Sequence, residues 1–188
     1  MNIFFLSMSI NRCARYHFDK HVIKMILEYC QLACSAWHIL NPDIVQNITQ
    51  QSNCNIKLYR LTHKNHPAAK WVRAHYNNYM YVVRLGLRLC DEWRYRYQHQ
   101  RTHASEPLLM WLKHNTPPNI PTYDICKTIF NPKSLSTPLP LAMPDTYKID
   151  NNDIHHAVKS YRLYYCSDEK AHLRHWKRRE VPDWLISY

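Results

Sequence analysis

The stretch "HFDKHVIKMILEYCQLACSAWH", residues 17 to 38, carries ionisable side chains at helical spacing. At about 100° per residue, His17, His21, Lys24 and Glu28 fall within roughly 40° of one line, which Gln31 and Ser35 continue. The opposite arc holds Val22, Ile23, Ile26, Cys30, Ala33 and Trp37, and Met25, Leu32 and Leu27 border the line. A polar line between apolar flanks is narrower than an ordinary solvated face. It points to a cleft in which Glu28 acts as acid, base or water-positioning carboxylate, His17 or His21 moves a proton, and Lys24 binds phosphate. His17 and His21 also stand four apart, a spacing that holds a metal if a third ligand comes from elsewhere. The plain alternative is a Lys24–Glu28 helical ion pair beside a histidine that satisfies a core polar group.

Further along, "HKNHPAAKWVRAHYNNY" places His66, Trp71, Arg73 and Asn77 near a helix start, and with Lys20 these are candidates for phosphate and base contacts. "LCDEWRYRYQHQ" alternates charge and ring, so Tyr95 and Arg96 can grip a backbone, with Glu92 as the i,i+4 partner of Arg96 or a second carboxylate of the site. Near the end, Arg162 and Lys170 precede the basic run "RHWKRR". Phosphate contacts from such a run would give affinity without sequence choice.

The elements that must position these groups read as mainly α, a single-domain helical bundle. Residues 2 to 6, "NIFFL", suit a short N-terminal strand or an extended arm, with Ser7 and Ser9 as caps for a small helix through "NRCARYH". Asp19 can cap the next helix, in which case His17 precedes it. Residues 41 to 60 read as a polar connection. The longest helix is expected from Pro67 to about residue 99, capped by Asn65 or His66, with Gly86 inside at a cost of about 1 kcal/mol relative to alanine, explained by close helix packing. The prolines at 107, 117, 118, 121, 132, 138, 140 and 144 predict a segment, 105 to 147, that wraps over the helices, and a last helix is expected over about 153 to 176. Two long antiparallel helices with a third across them would bury Ile23, Ile26, Cys30, Val82, Leu85, Leu89, Val158 and Leu163.

Composition narrows the function. The chain of 188 residues has one glycine, Gly86, which excludes Gly-rich dinucleotide, P-loop and nucleophile-elbow sites. No cofactor is expected. A formal charge of +11 favours a polyanionic partner, DNA ahead of RNA. The seven cysteines form no CxxC pair, which suits a reducing, intracellular setting, and the apolar start is too short for a membrane span.

The segments "YHFDKHVIKMILEYCQL", "THKNHPAAKWVR", "LRLCDEWRYRY", "PLAMPDTYK" and "YRLYYCSDEKAHLRHWKRREVPDW" together resemble, from residue 1 to about 184, a family of small proteins encoded by tailed phages and large DNA viruses. Where that family carries "YRYGK" this chain has "YRYQHQ", which argues against an essential glycine turn there. The resemblance implies a viral origin and a role in DNA metabolism, base modification, repair or host takeover. The leading expectation is an enzyme acting on DNA or its nucleotides, in its specific version base excision, with aromatics holding an unstacked base beside a carboxylate. A non-catalytic nucleic-acid-binding protein and a host-directed interaction protein are the alternatives.

Overall fold

In a computed structural model the described residues are 1–50, 56–122, 138–149 and 154–186. Within them are nine helices and no strand: α1 (Ile10–Tyr16), α2 (Asp19–Leu40), α3 (Pro42–Gln50), α4 (Pro67–Ala74), α5 (Tyr76–Tyr97), α6 (Glu106–His114), α7 (Ile154–Tyr165), α8 (Asp168–Ala171) and α9 (Asp183–Ile186). The mainly α expectation holds. Cys54, Cys126, Pro132 and the start of the expected last helix lie outside the described residues.

Helices α2 and α5, about 33 Å long each at 1.5 Å per residue, form the central pair. They run antiparallel: Trp37 near the end of α2 donates to the Tyr79 hydroxyl near the start of α5 (3.3 Å), while Arg96 at the end of α5 meets Asp19 at the start of α2 (3.0 Å). Gly86 sits where α2, α5 and α6 converge, since a Cβ there would lie 3.2 Å from both Leu109 methyls and 3.5 Å from the Tyr29 Cβ. Close approach is what the glycine supplies. Ile26, Cys30, Val82, Leu85, Leu89 and Val158 are buried as expected. Leu163 is half-buried, and Ile23 is exposed.

The N-terminal segment is an arm, not a strand. Ile3, Phe4, Phe5 and Leu6 are buried, and side chains answer its backbone polar groups. The Phe4 N–H donates to the Tyr29 hydroxyl (3.3 Å), the Cys13 thiol donates to the Phe4 carbonyl (3.1 Å), and Arg162 Nε donates to the Leu6 carbonyl (3.0 Å). Such groups remove the need for a partner strand.

Three element boundaries differ from expectation. The long helix from Pro67 breaks at His75, whose extended backbone (φ −161°, ψ 148°) ends α4 while its ring caps α5 by accepting from the Asn77 N–H (3.1 Å). Both pieces can then pack on α2. Helix α3 occupies Pro42–Gln50, where a polar connection was expected, with proline at its first turn. The helix expected to reach about residue 176 ends as α7 at Tyr165, and residues beyond α8 return to the start of α2, where the Asp19 N–H donates to the His175 carbonyl (3.0 Å). Asp19 therefore does not cap its own helix; its carboxylate accepts from the Lys177 N–H at 2.9 and 3.0 Å.

Candidate functional site

Asn2 determines where the chain begins in space. Its side-chain amide donates to the Ala142 carbonyl (2.9 Å), and its Oδ1 lies 2.7 Å from the Tyr161 hydroxyl, which also reaches the Pro140 carbonyl. With the arm buried just beyond it, this clamp sets the first residues against the middle of α2. There the Glu28 carboxylate lies 4.0 Å from the Met1 amino group, accepts from the Asn2 N–H (3.3 Å), and pairs with Lys24 Nζ (3.4 Å). Glu28 is 13% exposed at its side chain and Lys24 is 68% exposed, so the carboxylate is sheltered and its cation reaches into solvent. His66 belongs to the same neighbourhood. Burial first, then the positive amino terminus and His63, lower its pKa, while Glu28 opposes the shift. Its Nδ1 caps α4 by accepting from the Ala68 N–H (3.1 Å), so in the neutral ring the proton resides on Nε2.

The two stripe histidines are core residues. His17 is fully buried and precedes α2. Its Nδ1 lies 2.7 Å from the Cys13 carbonyl, which can only accept, so Nε2 is left to accept from the Tyr29 hydroxyl (3.2 Å). His21 is 7% exposed, bonds the Tyr165 hydroxyl through Nδ1 (2.7 Å), and stacks on Phe4 with centroids 4.5 Å apart. Burial lowers His17 to about 4 and His21 to about 3, with Arg96 adding to the first and His17, Lys170 and Lys24 to the second. Both rings are neutral at pH 7 and enclosed by protein, which keeps them from exchanging protons freely with solvent. His17 is also removed as a metal ligand, since both its nitrogens are engaged. Among the described residues no cluster of His, Cys, Asp and Glu is arranged to hold a metal.

Several expected nucleic-acid contacts are internal. Arg96 is fully buried and donates to Glu92 (3.1 Å), Asp19 (3.0 Å) and the His17 and Arg15 carbonyls (2.8 and 2.7 Å), so no face is left for phosphate. Glu92 is thereby the ion-pair partner of Arg96, and Arg179 grips it as well (3.0 and 2.8 Å). Trp71 is 4% exposed and packs edge-on to Phe5 (5.4 Å), in the core and out of reach of a base. Tyr95 is exposed but lies beneath Arg179 (3.8 Å) and Arg178 (5.3 Å). Much of the basic run is thus fastened to α5.

Arg73 donates to the Lys64 carbonyl (2.7 Å), Asn77 is half-buried in the first turn of α5, Arg162 lies 5.2 Å from the Trp184 ring, and Lys170 sits 4.7 Å from the Tyr164 ring. Of the residues singled out from the sequence, the structure gathers Glu28, Lys24 and His66 around the amino terminus, with Lys20 exposed one turn before Lys24 on α2. The Met1 amino group and the Asn2 clamp were not anticipated. A buried "IFFL" at positions 3 to 6 was the available signal, because it forces residues 1 and 2 against the core.

A family model described as pyrimidine dimer DNA glycosylase matches residues 1–105, from the arm through the end of α5. No curated protein and no solved structure matches the chain. The matched part contains the whole Met1, Lys24, Glu28 and His66 group, and it covers more than half of the 188 residues. The chain belongs to the pyrimidine dimer DNA glycosylase family.

Proposed function

We propose that this protein excises a base from DNA at a pyrimidine dimer, using the chain's amino terminus and Glu28 as the reacting pair. The observation that carries the reading is the Glu28 carboxylate 4.0 Å from the Met1 amino group and 3.3 Å from the Asn2 nitrogen. Once it gives up a proton, the α-amino nitrogen carries a lone pair and is a nucleophile. That nitrogen bonds to C1′ of the deoxyribose as the C1′–N bond to one pyrimidine breaks. The bonding pair leaves with the base, which takes up a proton, and the nitrogen releases one. Glu28 accepts that proton and offsets the positive charge that develops at C1′. Opening of the sugar then gives an imine, which water hydrolyses to free the amine. The +11 charge supports a DNA substrate by attracting the phosphate backbone.

The test is excision on a duplex with one dimer, run with and without borohydride. The expected result is release of one pyrimidine from its sugar and a reduced, covalent protein–DNA adduct that peptide mapping places on the residue bearing the free amino terminus. Glu28→Gln should lose excision while still binding DNA. Excision with no trapped adduct would replace the amine with a water activated by Glu28. Binding without excision in the parent protein would leave a non-catalytic DNA-binding protein.

A further inference from the structure

The amine of the excision reading is the end of the chain, and a chain end is poorly ordered unless something ties it down. The buried arm fixes residues 3 to 6. Residues 1 and 2 lie beyond that anchor, and the Asn2 side chain supplies another. Its Nδ2 donates to the Ala142 carbonyl (2.9 Å), while its Oδ1 accepts from the Ile3 N–H (2.8 Å) and from the Tyr161 hydroxyl (2.7 Å). The amide cannot be turned over, because the Ile3 N–H only donates and the Ala142 carbonyl only accepts.

The groups that hold Asn2 are themselves seated firmly. Tyr161 is fully buried on α7, its ring edge-on to Phe4 (5.8 Å) and tilted against Phe5 (5.8 Å), so arm and clamp pack as one unit. Pro140 and Ala142 belong to "PLPLAMPD", residues 138 to 145, where three prolines have a fixed φ and disfavour helical backbone at Leu139 and Met143 before them. Leu139 and Met143 are buried, and further on the Ile149 N–H donates to Ser160 Oγ on α7 (2.9 Å), which ties this strap to the same helix. The Tyr161 hydroxyl has one proton and faces two acceptors, since the Pro140 carbonyl lies 2.6 Å away and Asn2 Oδ1 2.7 Å. Burial raises its pKa, so the proton stays in place at neutral pH. One shared proton thus joins the chain end, the strap and α7. Tyr161, Pro140 and Ala142 all lie beyond residue 105, where the family match ends.

Resting on the excision reading above, we propose that Tyr161 is a positioning residue for the reaction: acting through Asn2, its hydroxyl holds the reacting amine at the Glu28 carboxylate, so the strap and α7 set the rate of the chemistry and not the binding of DNA. Tyr161 touches no reacting atom. A pre-placed nucleophile gains its rate from that placement, and a shift of about 1 Å costs on the order of 10²-fold.

The experiment uses the full chain with Tyr161→Phe, which keeps the ring and removes the hydroxyl, Asn2→Leu, which keeps the side-chain shape and removes its hydrogen bonds, and the two together. The probe is a duplex with one pyrimidine dimer. Tyr161→Phe should slow single-turnover excision and borohydride-trapped adduct formation tenfold or more while leaving affinity for the duplex within twofold. By 15N relaxation, the Asn2 side-chain amide should be rigid in the parent and mobile in Tyr161→Phe. Asn2→Leu should slow excision likewise, and the double variant should be within twofold of Asn2→Leu, because the second change removes a bond already lost. Losses that multiply would mean that Tyr161 acts by another route, which overturns the proposal. If Tyr161→Phe forms the adduct within twofold of the parent, the positioning role is wrong and the excision reading stands. Should Tyr161→Phe fail to fold, Asn2→Leu decides: tenfold slowing at unchanged affinity supports the clamp, and a rate within twofold overturns it. If the parent excises nothing while Asn2 loses order in Tyr161→Phe, the clamp on the chain end stands and the excision reading fails; if Asn2 also stays rigid, both fail.

Discussion

Two groups of opposite charges lie along α2, and they are built differently. At its first turn, Asp19 shares Arg96 with Glu92, Arg179 closes the other side of Glu92, His175 bonds Asp19, and backbone carbonyls take the remaining Arg96 donors. About two and a half turns on, Glu28 has one loose partner in Lys24, an amino group at 4.0 Å and one backbone N–H. The first group is saturated and shut; the second has lone pairs to spare and a cation, Lys24, that reaches into solvent. Carboxylates paired with cations become framework where every hydrogen bond is made, and candidate chemistry where some are left to be made with a substrate.

The strongest way to break this contrast is to remove Arg96. Arg96→Met leaves two buried carboxylates short of their common cation, and losing one partner of a buried pair costs about 3–5 kcal/mol. Urea unfolding should show a loss of that order, and a loss below about 1 kcal/mol would mean the knot is not structural. Glu28→Gln should do the reverse. Excision is expected to fall by about 10²–10⁴-fold, while the unfolding free energy moves by less than about 1 kcal/mol. A variant that unfolds instead would place Glu28 with the framework.

Acid should act on the framework through its histidines. His17, at about 4 when folded against 6.5 as its ordinary value, binds its proton more weakly in the native state. Its contribution, about 3 kcal/mol from 1.36 per pKa unit, is complete above pH 6.5 and is lost as pH falls from there toward 4. His21, at about 3, extends the loss lower. Ring-proton NMR should find both imidazoles neutral at pH 5.5, and a midpoint near 6.5 for either would overturn their placement in the core. The smallest effect is expected at Lys24, which is 68% exposed. Lys24→Ala should change stability by less than about 1 kcal/mol and, since the amino terminus remains beside Glu28, lower excision less than the Glu28 change does.

The periodicity of residues 17 to 38 was enough to find α2, to mark Glu28 and Lys24 as neighbours, and to name most of its buried face. It misjudged Ile23, because a helical wheel shows which residues share a face and not how far the covering segment extends; here that cover reaches Ser35 from Thr62 and stops. The composition of the two later basic and aromatic segments likewise put Arg96 and Trp71 among the ligand contacts, because arginine and tryptophan serve a buried network and a nucleic-acid surface equally well. The break at His75 was hidden for a local reason: nothing in "WVRAHYNNY" forbids a continuous helix, and the break follows from packing of both pieces on α2 and from a ring that caps the second.

Composition and helical spacing alone determined a mainly helical, strongly basic chain with one glycine at a close packing point and a carboxylate beside a lysine on its first long helix. Those properties depend on side chains a few residues apart, whose relative positions the helix itself dictates. Only the tertiary structure decided that the amino terminus meets Glu28, that the stripe histidines are buried and neutral, and that Arg96 faces inward. Each of these joins residues 26 to 144 positions apart, or buries a group beneath a distant segment, and local spacing carries no information about such encounters.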